Sequence, residues 1–131
     1  ALAVVLLLQL AALLQLHEQA PLALILAGFW GRVSPLWAMA RFNYLRSDGT
    51  AGFHRRYGQP WWDLVPTVVA CLAFAFFVAP LPLLIGAPVA VGVAEHLGRR
   101  LGGHTGDSYG AVVVQTEAIT LLLLAGLAAA N

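Results

Sequence analysis

The sequence contains no lysine, and its seven basic residues are all arginines. Charged side chains make up only 10% of the 131 residues, where an ordinary soluble domain carries about 25%. The net charge of +1 comes with no dense basic run, which excludes a nucleic-acid partner. A single cysteine, Cys71, lies inside an apolar run, so there is no disulfide framework and buried packing is expected of it. No HExxH, P-loop or nucleophile-elbow pattern occurs. A signal peptide would bring a basic leader and a cleavage site, and neither is present. The chain opens at Ala1 within an apolar helix pattern, which leads us to expect an N-terminally incomplete protein.

What it has in excess is hydrocarbon. Hydrophobic residues reach 60% and mean hydropathy is +0.81. A helix needs about 20 mostly apolar residues to cross a bilayer, and five segments approach that length. They are Ala1 to Leu16, Leu22 to about Phe42, Leu64 to Ala79, Leu83 to Leu97 and Gly110 to Ala130. His17, Glu18 and Gln19 form a polar turn after the first, and Pro21 suits the opening of the second. Pro35 predicts a kink near Ser34, and Pro80 to Pro82 breaks the third segment from the fourth. The third and fourth are short for a full crossing. The fold class expected is all-α: a polytopic transmembrane helix bundle of about five spans, N-terminally incomplete, with residues 1–131 forming the C-terminal part of one integral-membrane domain.

Arginine placement tests this layout, because cytoplasmic loops carry the excess of basic residues. Arg41, Arg46, Arg55 and Arg56 flank or fill a long polar loop from Asn43 to Asp63, and Arg99 and Arg100 open a second, glycine-rich loop. If both intervening segments cross, the two loops share one face, assigned to the cytoplasm. Trp61 and Trp62 read as interfacial anchors.

The second loop, "GGHTGDSYGA" from Gly102 to Ala111, is the sharpest chemical signal. A glycine-rich loop feeding a helix N-terminus presents amide donors in a positive helix-dipole field, a setting that favours phosphate. Asp107 can cap the helix beginning near Ser108 or hold a metal ion. Glu95 and Arg99 are four apart on one helix face, either as an ion pair at the membrane edge or as a phosphate-binding arginine oriented by a carboxylate. Gly98 with Gly102, and Gly106 with Gly110, fit a small-residue packing spacing. Arg32 and Glu117 are ionisable residues inside apolar segments, functional by default, and each is a candidate partner for the other. They also permit an alternative reading as a small transporter or channel subunit, with Arg32 and Glu117 lining a polar path.

The stretch "LGRRLGGHTGDSYGAVVVQTEAITLLLLA", from Leu97 to Ala125, resembles the C-terminal signature of the cobalamin synthase family, the adenosylcobinamide-GDP ribazoletransferases. Gly102, Gly103, Thr105, Gly106, Asp107, Gly110, Ala111 and Glu117 match that signature, and "WGRVSPLWAMARFNYLRSDG" resembles the family's middle region more loosely. The resemblance implies a multi-pass enzyme of the inner (plasma) membrane that joins adenosylcobinamide-GDP to alpha-ribazole or its 5'-phosphate and releases GMP, with Mg2+. It implies phosphate contacts from Arg99, Arg100, Gly102, Gly103, Thr105, Gly106, Arg46 and Arg32. Asp107 would be catalytic or a metal ligand, with Glu95 and Glu117 in support. The family's aspartate-rich motif has no counterpart here, since Asp48-Gly49 lacks the aspartates that should follow. The main magnesium ligands are therefore expected in a missing N-terminal part, and this piece alone is expected to bind metal poorly and to be inactive.

Overall fold

The structure, a computed structural model, describes residues 2–45, 59–77 and 80–130. Five α-helices account for nearly all of them: α1 Leu2–Leu16, α2 Ala20–Arg41, α3 Pro60–Phe77, α4 Pro80–Leu101 and α5 Gly106–Ala130. Among the described residues there is no strand, only an isolated parallel bridge between Tyr44 and His104. Among the described residues, three helical runs are long and apolar enough to cross a membrane: Leu2–Arg41, Leu81–Leu101 and Gly106–Ala130. Within α3, Trp61–Phe74 forms a shorter apolar helix. Large apolar side chains face outward, with Leu2, Leu7 and Leu14 of α1 all more than 60% exposed. A soluble protein avoids so continuous an exposed apolar surface, whereas lipid accepts it.

The first boundary falls where the polar turn was expected. His17–Gln19 form a 3-10 turn, and His17 adopts a left-handed backbone (φ 48°) that interrupts the helix between Leu16 and Ala20. Pro35 lies inside α2, which continues through it to Arg41. Proline cannot donate to the carbonyl four residues earlier. That carbonyl belongs to Gly31, and the buried Ser34 hydroxyl donates to it at 3.2 Å.

Two expectations about the later helices need correction. The fourth segment is longer than the span from Leu83 to Leu97: α4 has 22 residues, about 33 Å at 1.5 Å per residue, enough for a crossing. Pro88 is carried inside it, and Arg99 and Arg100 belong to its last turn rather than to the loop. The fifth helix begins at Gly106, not Gly110, so the glycine-rich loop shrinks to Gly102–Thr105.

α2 and α5 form the centre, with α1 and α4 packed against them. One buried cluster joins Leu16, Leu26, Trp30, Leu83, Leu121 and Leu124. A second, at the loop end, joins Ala38, Tyr44, Ala94, Tyr109 and Val112. The Trp30 indole is buried and donates to the Leu83 carbonyl at 2.8 Å. It lies where a β-carbon on Gly86 would stand, so only glycine fits there. Cys71 is half-buried against the first cluster, in the packing role expected of it.

Candidate functional site

The C-termini of α2 and α4 and the N-terminus of α5 meet at one end of the bundle. Backbone hydrogen bonds fix the meeting: Leu45 N donates to His104 O at 2.8 Å, and His104 N donates to Asn43 O at 3.0 Å. The start of the long polar loop and the glycine-rich loop therefore share one end, as the arginine distribution requires. Arg46, Asp48, His54, Arg55 and Arg56 lie outside the described residues.

α4 ends on two glycines with positive φ, 73° at Gly102 and 149° at Gly103. Gly103 N closes the last turn by donating to Gly98 O at 3.0 Å. Thr105, directly before α5, caps that helix together with Ser108. Thr105 Oγ1 accepts from Ser108 N at 3.3 Å, and Ser108 Oγ accepts from Thr105 N at 2.8 Å. This reciprocal pair is a capping box with serine in the position usually held by glutamate. It overturns the reading of Asp107 as the cap, because Asp107 sits in the first turn of α5. Its carboxylate is exposed and forms no hydrogen bond or ion pair among the described residues.

His104 supports this loop from below. Its side chain is fully buried, stacked on Tyr109 at 5.2 Å and set edge-on to Phe42 at 5.5 Å. Nδ1 bonds to Ser108 Oγ at 3.0 Å. Burial holds the imidazole pKa below its ordinary value of 6.5. The Ala94 carbonyl opposes that shift only in part and makes no well-aligned hydrogen bond to Nε2. His104 is thus a neutral packing group.

Glu95 organises the charges. Its Oε2 accepts from Arg99 Nε at 3.0 Å, while its Oε1 accepts from Trp37 Nε1 at 3.3 Å and pairs with Arg41 Nε at 3.4 Å. The carboxylate is largely buried, whereas Arg99 and Arg41 remain 75% and 58% exposed. Two guanidiniums on one carboxylate leave a net positive charge facing outward. Arg41 and Trp37 were not foreseen as partners of Glu95. Their spacing of four on α2 was a usable signal, but only the fold shows that this face meets Glu95.

Arg32 and Glu117 do meet, at 3.2 Å. They form a separate site: Glu117 lies ten residues beyond Asp107 on α5, about 15 Å along the axis. Each neutralises the other instead of contributing to the loop end. The two glycine pairs do not act as packing motifs, since Gly102 and Gly110 have no neighbour within 4 Å of a β-carbon position while Gly98 abuts Phe42. No group of three or more His, Cys, Asp or Glu side chains is placed to hold a metal ion among the described residues.

Apolar helices with outward leucines define a membrane-embedded helix bundle, and exposed arginines gather at the end where α2, α4 and α5 meet. The chain belongs to the cobalamin-5-phosphate synthase family, whose sequence model matches residues 1–125. A protein of Prochlorococcus marinus (strain MIT 9303), named adenosylcobinamide-GDP ribazoletransferase, is 55% identical over 100% of this chain and 56% of its own length. A protein of the same name from Thermosynechococcus vestitus is 38% identical over 91% of this chain and 49% of its own. The chain thus spans about half the length of the curated relatives it matches. No solved structure matches it.

Proposed function

We propose that this chain forms part of a membrane transferase that joins adenosylcobinamide-GDP to alpha-ribazole or its 5'-phosphate and releases GMP. An acceptor hydroxyl attacks the corrinoid-side phosphorus of the diphosphate, and GMP leaves with the bridging oxygen. Such a transfer needs positioning and charge neutralisation more than covalent help from the protein. The first turn of α5 supplies the amide donors of Gly106 and Asp107, since the amides of Gly103, His104 and Thr105 are bonded within the loop, and Arg99 and Arg100 supply guanidiniums for the phosphates. Arg46, outside the described residues, is assigned to the same set. The family and its relatives' names support this reading.

The observation that carries it is the division of labour at α5. Thr105 and Ser108 do the capping, which leaves Asp107 exposed at the helix start beside two arginine-bearing helix ends. Asp107 serves as a base for the acceptor hydroxyl or as one ligand to Mg2+. The described residues do not by themselves fit a magnesium centre, for Asp107 is a single carboxylate. We accordingly expect the 131 residues alone to be inactive. The arginine-rich end faces the cytoplasm of the inner membrane, as the positive-inside rule favours. In a complete protein, Asp107→Asn is expected to lower transfer of adenosylcobinamide-GDP at least a hundredfold while membrane insertion stays normal. Turnover equal to wild type would remove Asp107 from the reaction.

A further inference from the structure

We propose that a cavity between α2, α3 and α4 holds an acyl chain of an anionic phospholipid whose phosphate rests on Arg41. The cavity has a volume of about 460 Å³, within the range of ligand sites, and its walls include Trp30, Val33, Trp37, Trp61, Val65 and Val68. These walls are almost wholly apolar and offer nothing to orient a polar metabolite. Val65 and Val68 are about half exposed, at 48% and 51%, so the cavity opens on the side where α3 meets lipid. In a bilayer, hydrocarbon is what fills such a space.

The headgroup end is defined by aromatic and charged groups together. Trp37 and Trp61 meet edge to face at 5.9 Å, at the end of α3 where tryptophans mark the headgroup level. Trp37 lines the cavity and also donates to Glu95 Oε1, the oxygen that pairs with Arg41. Arg41 thus stands one turn beyond a cavity wall on the same face of α2, held by the same carboxylate oxygen. Arg99 occupies the other oxygen, so Glu95 carries one guanidinium more than it can neutralise. That surplus positive charge matches an anionic headgroup and not a zwitterionic one. Arg41 then reads lipid on one side of Glu95, while Arg99 serves the loop on the other.

Quenching of tryptophan emission by brominated lipid tests this on the full chain in vesicles. In a Trp62→Phe background, every remaining tryptophan lines the cavity. Brominated phosphatidylglycerol, present as a minor fraction in phosphatidylcholine, is expected to bind about fivefold more tightly than brominated phosphatidylcholine at the same fraction, the factor one arginine gives at an anionic headgroup. Arg41→Gln should bring that ratio to about one with quenching retained. Val68→Phe should fill the cavity and reduce quenching by both lipids. If Val68→Phe fails to insert, Val65→Phe, on the same open edge, replaces it. Equal affinity for the two lipids in wild type, or unchanged quenching in the filled variant, overturns the proposal.

Discussion

The loop end and the middle of the bundle each hold one glutamate bound to arginine, and they treat it differently. At the loop end Glu95 takes Trp37, Arg41 and Arg99, and the neighbouring Thr105 and Ser108 satisfy each other. In the middle, among the described residues, Glu117 has Arg32 alone, and the flanking buried hydroxyls of Thr116 and Thr120 have no hydrogen-bond partner. One region gathers more cations than its carboxylate can neutralise, and the other balances charge one to one. The first arrangement suits capture of an anion. The second ties two helices together through a charge that is paired within the protein, although the Arg32 side chain itself stays 73% exposed.

The largest effect expected from this contrast is the loss on Asp107→Asn, because that carboxylate has no partner among the described residues at the loop end. Next comes Glu95→Gln. The amide keeps an acceptor for Trp37 but releases Arg41 and Arg99 from a charged anchor. Kinetics of a complete protein should show KM for adenosylcobinamide-GDP rising about tenfold, about 1.4 kcal/mol, with a smaller change in kcat. An unchanged KM would mean that Glu95 only ties helices together.

Glu117→Gln probes the other region. Interhelical polar contacts in membranes average about 0.6 kcal/mol and reach about 1.7, so denaturant unfolding in micelles should show a loss within that range. KM should stay at the wild-type value. A raised KM would merge the two regions into one site and break the comparison.

The bundle was legible because its cause is compositional: apolar length fixes where helices run, and His17–Gln19 announce the first turn in sequence. The meeting of Arg32 with Glu117 was also legible, since each needs a partner in lipid and few are available. The start of α5 was not. Asp107 is the stronger capping residue by type, and only the geometry of Thr105 with Ser108 three residues on shows the cap to be elsewhere. Arg41 was passed over because many arginines flank that loop. Which one meets Glu95 depends on how α2 and α4 are rotated against each other, and composition does not encode that rotation.

The smallest effect concerns pH and confines itself to the loop end. His104 is buried neutral, with its pKa held below 6.5 by desolvation. The unfolded chain binds a proton there more readily, so the folded state gains stability as pH rises toward neutrality. That contribution is complete above pH 6.5 and is lost progressively as pH falls below it toward the folded pKa. Other groups titrate in the same range, so the informative quantity is the difference between wild type and His104→Asn, whose amide can still meet Ser108 Oγ. Thermal unfolding in micelles should show that difference shrinking between neutral and mildly acid pH. A difference independent of pH would make His104 a charge-indifferent packing group, and the rigidity of the loop beneath Asp107 would then rest on Gly103 and the Thr105–Ser108 cap alone.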